Sequence, residues 1–251
     1  MSAAPAIPTG YQRFEIRGAE VVAHRDHAAA IRSAMDARTL HEWASRQPDA
    51  QPMRGRAIAY GTTLADRTAV VVRHSQHGGL FAPLTRDLFV RPTRAPRELE
   101  ISVRLTSAGV RTPRVVAYAV YPAVAPFARA DVATQRLYGS AFPEAWARAE
   151  SEDAQRTIIA AVVELLHSLR AAKAQHADLN ARNIFILDQQ PTAAAVLDVD
   201  RVEFPSMSAG VIAEYNALRL IRSLTGERLG LQRTLSAAQI RAIEATGDLA
   251  A

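Results

Sequence analysis

His176-Ala177-Asp178-Leu179-Asn180-Ala181-Arg182-Asn183, followed at Asp198-Val199-Asp200 by a second acidic group, decides the reading of this chain. The first stretch spells H-x-D-x-x-x-x-N, a carboxylate with a side-chain amide five residues later. The second carboxylate, Asp198, lies twenty residues beyond Asp178. Between them, Ile184-Phe185-Ile186-Leu187 reads as a short apolar strand, Asp188-Gln189-Gln190-Pro191 as a turn, and Ala194 to Leu197 as a returning strand. Such a hairpin would carry Asp198 back beside Asn183. Two adjacent strands then present a base and oxygen ligands to one point.

That order is the order of the catalytic loop and metal-binding acid in the protein-kinase fold. Phosphoryl transfer needs a carboxylate beside the acceptor hydroxyl. It also needs oxygen ligands for Mg²⁺, a hard ion that takes carboxylate, amide and phosphate oxygens. Asp178 is therefore the expected catalytic base. Asn183 and Asp198 are the expected metal ligands for Mg·ATP. Taken alone, Asp-Leu-Asn is usually a turn or a helix cap. His176 reads as a structural prop of the loop. Asp200 reads either as a helper at the metal or as the solvated end of a strand.

The bulk composition agrees with an enzyme of this kind. A chain of 251 residues, 49% of them hydrophobic, can build one large domain or two lobes. No apolar run reaches the ~18 residues that span a bilayer. The closest, Val115 to Ala128, is broken by Pro122 and Pro126. The first ten residues lack the basic flank and apolar core of a signal peptide, so a cytoplasmic protein is expected. The absence of cysteine excludes disulfides, thiolate metal sites and cysteine nucleophiles. The net charge of +5 rests on arginine, Lys173 being the sole lysine. No aromatic-interleaved basic patch or zinc-finger spacing is present, so no nucleic-acid partner is expected. A basic surface suits an anionic lipid headgroup equally well.

Patterning along the chain predicts an N-terminal lead-in with one or two strands over residues 1–20, then a helical stretch from His24 to Ala50. Arg56 to Tyr60 and Ala69 to Val72 read as strands around a turn near Gly61 or Asp66. Pro96 to Ala108 reads as a helix stopped by Gly109. Val115 to Val120 and Ala130 to Leu137 read as strands, and Gly139-Ser140 as a flexible joint. A helix capped by Ser151 should run to about Lys173, with Ile158, Ile159, Val162, Val163, Leu165, Leu166 and Leu169 recurring at helical spacing on the face it buries. Further helices are expected at Val211 to Leu224 and Ala237 to Ala245. The fold class is α+β: a two-lobed protein-kinase-like fold, with an N-terminal antiparallel sheet plus helix and a mainly helical C-terminal lobe. The lobes are expected at 1–138, with an extension over 1–50, and at 139–251, with ATP between them.

A kinase of this fold places a lysine on its third strand, paired with a glutamate on the next helix. This chain cannot comply. Arg73, at the end of the Val70-Val71-Val72 strand, is the expected substitute; its guanidinium can hold phosphate bidentately. Glu98 is the expected partner, with Glu100 as the alternative. No G-x-G-x-x-G is formed by Gly55 or Gly61. Gly78-Gly79 reads as a tight turn.

These segments resemble the 3-deoxy-D-manno-octulosonic acid (Kdo) kinases of the lipopolysaccharide kinase superfamily. Val71-Val72-Arg73-His74 with Gly78-Gly79-Leu80 resembles their V-x-R-H-x-x-x-G-G-L segment. His176 to Ile184 is similar to their H-x-D-L-N-x-x-N-I loop. Asp198-Val199-Asp200-Arg201 resembles their D-F-D-R, with Val for Phe. Asn216 to Leu224 resembles their N-L-x-R-L-x-R-S-L helix. Thr112-Pro113 matches the G-x-P-x-P step with one proline missing.

The resemblance implies an enzyme of the Gram-negative type that phosphorylates a Kdo hydroxyl on a lipid A precursor with Mg·ATP. It would act as a peripheral protein on the cytoplasmic face of the inner membrane, against an anionic surface. Two other readings stand beside it: a phosphotransferase for an aminoglycoside or another sugar, and a pseudokinase binding module. An acceptor screen separates the first, and a turnover assay the second.

Overall fold

The computed structural model describes residues 6–53, 58–75, 89–90, 93–124, 126–189, 191–226 and 234–247. Gly55 and Gly78-Gly79 lie outside them. Contacts divide the chain into two units, Met1–Val103 with Arg114–Arg136, and Arg104–Pro113 with Leu137–Ala251.

The first unit is an antiparallel sheet covered on both faces. In chain order it holds β1 (Tyr11–Ile16), β2 (Ala19–His24), α1 (Ala28–Ala34), α2 (Leu40–Ser45), β3 (Gln51–Met53), β4 (Ala59–Thr63), β5 (Ala69–His74), β6 (Phe89–Val90), α3 (Ala95–Ser107) as far as Val103, β7 (Val115–Pro122) and β8 (Phe127–Gln135). The strands run β1-β2-β7-β8-β5-β4-β3, and β6 also pairs with β8. Central strands such as Val-Val-Ala-Tyr-Ala-Val in β7 are apolar throughout because neither face meets water. Val21, Ala23, Val70, Val72 and Ala119 pack against Ile31, Met35, Leu40 and Ala44 of α1, α2 and their linker. Val22, Tyr118, Val120, Ala130 and Val132 pack on the other face against Ala95 and Leu99 of α3.

The single helical stretch expected from His24 to Ala50 is instead two short helices. Thr39 breaks it. Its backbone is extended, its hydroxyl accepts from Glu42 N–H, and Glu42 returns a bond to Thr39 N–H, a complete capping box. The turn between β4 and β5 falls at Asp66, whose Oδ1 accepts from Thr68 N–H at 2.9 Å. Gly61 lies inside β4.

A buried carboxylate organises the α2 side of this sheet. Asp131 on β8 is fully buried. Its Oδ1 lies 2.6 Å from His74 Nδ1. Its Oδ2 accepts from His41 N–H and from the Tyr121 hydroxyl, each at 2.9 Å. Tyr121 Oη in turn accepts from Leu40 N–H. The first amides of α2, which have no partner within the helix, thus close on a β8 carboxylate and a β7 phenol. Burial and the Asp131 charge push the Tyr121 hydroxyl far above its ordinary pKa, so it remains a donor.

The second unit carries β9 (Gly139–Ala141), α4 (Phe142–Arg148), α5 (Glu152–Ala171), β10 (Gln175–His176), β11 (Ile184–Leu187), β12 (Ala193–Val196), β13 (Val202–Glu203), α6 (Ala209–Thr225) and α7 (Ala237–Glu244). Ser151 caps α5 by accepting from Ala154 N–H. The buried face of α5 runs through Ile158, Ile159, Val162, Leu165, Leu166 and Leu169. Lys173, in the left-handed region at φ 50°, ends it in a Schellman turn. Lys173 N–H bonds Arg170 O, and Ala174 N–H bonds Leu169 O.

Gly139-Ser140 is not the flexible joint expected. It is a strand in the order β12-β11-β9, with Gly139 opposite Leu187 and Ser140 opposite Ile186. Gly139 sits at φ 148°, and a Cβ there would run into the Ile186 carbonyl. Glycine is used here for close approach, not for mobility.

Replacing Asp131 with alanine should strand the His41 amide and the Tyr121 hydroxyl in the core. At ~1–3 kcal/mol per unpaired buried group, the expected loss is about 2 kcal/mol or more. Urea unfolding checks it; a midpoint within error of the parent protein would show that the network does not hold the sheet.

Candidate active site

Most backbone amides of the loop over residues 174–183 are engaged. The β10 residue His176 is fully buried. Its Nδ1 accepts from Asp178 N–H at 3.2 Å, and its Nε2–H donates to the Leu197 carbonyl at 3.0 Å. Those two bonds define the neutral tautomer with the proton on Nε2. The ring therefore ties the segment before Asp178 to the segment before Asp198. Ala177 N–H donates to Arg201 O, closing the same link one residue on.

The amide side chains fix the rest of the loop. Asn183 Nδ2 donates to the Asp178 carbonyl at 2.8 Å, and Asn180 Nδ2 donates to the same oxygen at 3.0 Å. Asn180 Oδ1 caps the 3₁₀ turn Ala181–Asn183 by accepting from Arg182 N–H. With its amino group fixed, Asn183 keeps Oδ1, the atom a cation would take, outside that bond.

The hairpin sets the separation of the two acidic segments. Ile184 pairs with Val196 in the β11–β12 register. Leu197 N–H donates to Asn183 O at 2.8 Å. Asn183 and Asp198 are thus brought together by the register that the sequence pattern anticipated. Asp198 holds φ 57° and ψ 47° at the start of the 3₁₀ turn Val199–Arg201. A left-handed non-glycine residue needs its surroundings to hold it there, and Asp is one of the few side chains that tolerates it. Asp200, in that turn, is flanked by Arg201, whose amide bonds Asp198 O.

One face of α6 clamps this loop, and sequence reasoning assigned it no contact. Asn216 is buried; its Oδ1 accepts from His176 N–H at 3.0 Å and its Nδ2 donates to Ala174 O at 2.9 Å. Arg219 Nη2 lies 3.6 Å from Asp178 Oδ1. Ser223 Oγ accepts from Ala181 N–H at 3.1 Å. Positions 216, 219 and 223 share one helical face. Polar residues at that spacing on an otherwise apolar face were the available signal.

The first unit contains the other predicted pair. Arg73 lies on the face of β5 opposite Val72, and its Nη2 is ion-paired with Glu98 Oε1. Glu98 is buried in the first turn of α3, whereas Arg73 is partly exposed. The partner of Arg73 is thus Glu98 rather than Glu100. A buried carboxylate beside a partly exposed guanidinium orients the cation.

The oxygen donors fit a magnesium ion. Among the described residues no group of three or more His, Cys, Asp or Glu is arranged to hold a metal. An all-protein cage is not what Mg²⁺ uses. It is held by one or two protein oxygens together with phosphates and water, and Asn183 Oδ1 with the Asp198 carboxylate is such a set.

Burial pushes the His176 imidazole below its ordinary pKa, against the Leu197 hydrogen bond and the charges of Asp178 and Asp200. The unfolded chain takes up this proton near pH ~6.5, while the native loop resists it. Below that pH the unfolded state binds more protons, so stability should fall as pH drops. Urea midpoints at about pH 7.5 and pH 5.5 measure this slope. His176→Gln, which does not titrate, should show a smaller slope; equal slopes would remove His176 from the acid response.

The Lipopolysaccharide kinase (Kdo/WaaP) family matches residues 42–245. The chain is 25% identical over 185 residues to a 3-deoxy-D-manno-octulosonic acid kinase of Vibrio parahaemolyticus serotype O3:K6 (strain RIMD 2210633), covering 71% of this chain and 75% of the relative. Its fold is similar to that of a solved structure described as WaaP in complex with acyl carrier protein, with a TM-score of 0.55 at 16% identity over 86% of this chain and 85% of that one. No helix of the described residues is long and apolar enough to cross a membrane. With a family match over most of its length and an α+β fold of the kinase type, this chain belongs to the Lipopolysaccharide kinase (Kdo/WaaP) family.

Proposed function

We propose that this kinase transfers the γ-phosphoryl group of Mg·ATP to a hydroxyl of a Kdo sugar on a lipid A precursor, at the cytoplasmic face of the inner membrane. Family membership makes it a phosphotransferase with a hydroxyl acceptor in lipopolysaccharide biosynthesis. The acceptor, the nucleotide and the residue roles are the proposal. The lobe division at 138 and 139 belongs to it as well. The observation that carries it is the Asp178 loop: a half-exposed carboxylate whose backbone is pinned by Asn183, with Asp198 returned beside that asparagine by the hairpin.

In this reading Asp178 accepts the proton of the acceptor hydroxyl as its oxygen bonds to the γ-phosphorus. The bond from the γ-phosphorus to the β–γ bridging oxygen breaks, and ADP leaves. Asn183 and Asp198 hold Mg²⁺, which when bound neutralises charge on the phosphates. Arg73, oriented by Glu98, grips the non-transferred phosphates with a fork of donors. Positioning and charge neutralisation supply most of the rate. The basic surface, with a net charge of +5, suits an anionic membrane.

ADP release with Mg·ATP and a Kdo-bearing lipid A precursor tests the reaction. Asp178→Asn should lower turnover by ~10²–10⁴-fold while Mg·ATP affinity holds; near-normal turnover would sink the base assignment. Asp198→Ala should abolish magnesium-dependent nucleotide binding, read by thermal shift with and without the metal. Unchanged Mg·ATP affinity would remove Asp198 from the metal. No acceptor-dependent ADP release, despite Mg·ATP binding, would redirect the reading to another acceptor or to a pseudokinase.

A further inference from the structure

Three of the polar side chains on the loop-facing side of α6 are Asn216, Arg219 and Ser223. Asn216 and Ser223 are committed to backbone groups of the catalytic loop. Arg219 is not committed in that way. Its closest charged contact, Nη2 to Asp178 Oδ1, is 3.6 Å, an ion pair too long for a hydrogen bond. Its Nε is buried and has no hydrogen-bond partner among the described residues. Its guanidinium carbon lies 5.8 Å from the Tyr215 ring centroid. About a third of the Arg219 side chain and somewhat more of the Asp178 side chain are exposed, so both reach the surface where a substrate would arrive.

A guanidinium receives an oxyacid through two parallel hydrogen bonds. Here Nη2 stands beside the base without a hydrogen bond to it, on a side chain that is about a third exposed. A guanidinium serving only to anchor Asp178 would close both bonds onto its carboxylate. That closure would also occupy the lone pairs the base needs for the acceptor proton. An acceptor that carries an anionic group near its reacting hydroxyl gives this cation a role of its own. Asp178 would repel such a group, and a cation between the two offsets that repulsion.

We infer that Arg219 and Asp178 together form a subsite for an acceptor sugar bearing an oxyacid group close to the hydroxyl that is phosphorylated. Arg219 binds the anion through the exposed end of its guanidinium, and Asp178 takes the hydroxyl proton. The inference rests on the kinase reading above and names the arginine that recognises the acceptor. The oxyacid is a sugar carboxylate or a phosphate on the acceptor; one guanidinium edge serves either.

The test compares three acceptors with Mg·ATP: the intact Kdo-bearing lipid A precursor, the same molecule with its sugar carboxylate reduced to an alcohol, and the same molecule with its lipid A phosphates removed. The wild-type enzyme should show a KM about tenfold lower for the intact acceptor than for one of the two altered ones. The altered acceptor that loses the preference identifies the anion. In Arg219→Gln this ratio should collapse toward one, whatever the change in kcat, and Arg219→Lys should restore part of it. Mg·ATP binding by both variants serves as the folding control.

Equal loss of kcat on all three acceptors, with the wild-type KM ratio retained in Arg219→Gln, would overturn the subsite and leave Arg219 acting through Asp178 alone. A wild-type KM indifferent to both alterations would also overturn it, while leaving the sugar-kinase reading intact. Absence of turnover on all three with the wild-type enzyme would defeat the kinase reading, and the subsite with it.

Discussion

The buried Asn216 amide is the contact on which the Asp178 loop depends. It accepts from the amide of His176 and donates to the carbonyl of Ala174. Between them these bonds satisfy two groups that a short loop cannot satisfy within itself. Losing either strands a buried polar group, at ~1–3 kcal/mol apiece. That is a large share of the ~5–15 kcal/mol that holds a domain together. His176 passes the constraint on, through its two ring nitrogens, to Asp178 and to Leu197. A helix late in the chain thereby determines where two acidic segments of the preceding loops stand.

The first unit solves an analogous problem with a different group. Its sheet is apolar on both faces, which leaves few polar atoms to define how α2 meets the strands. Asp131 supplies that definition, accepting from the start of α2, from Tyr121 and from the strand that carries Arg73. On the opposite face of β5, Glu98 orients Arg73. Successive residues of one strand thus meet two buried carboxylates, one on each side, because side chains alternate across a sheet.

Much of this was legible before any coordinates. The β11–β12 hairpin, α5 with its Ser151 cap, and the pairing of Arg73 with Glu98 follow from apolar period, capping chemistry and the absence of lysine from β5. Local signals of this kind are carried by neighbouring residues. The differences have other causes. The break at Thr39 is itself local, since Thr39-Leu40-His41-Glu42 has the T-x-x-E spacing of a capping box, and the Ala- and Arg-rich composition on either side masks it. Gly139 was read as a joint because glycine permits mobility; its actual use, to let β9 approach β11, depends on a strand more than forty residues away. The α6 clamp escaped for the same reason. Asn216 and Ser223 lie about forty residues from the groups they satisfy, and nothing adjacent to them announces the partner. The left-handed backbone of Asp198 was equally invisible, since it is imposed by the turn it begins.

The chain's only lysine has a consequence outside catalysis. Lys173 sits exposed in the turn that ends α5, and the cation paired with Glu98 is a guanidinium. Reagents that acylate lysine find no side-chain amine on β5. Lysine side-chain acylation of this protein can take place at one position, on the C-terminal shoulder of a helix. A dye or a surface tether attached through lysine chemistry therefore sits at one defined place, the turn that ends α5 in the second unit.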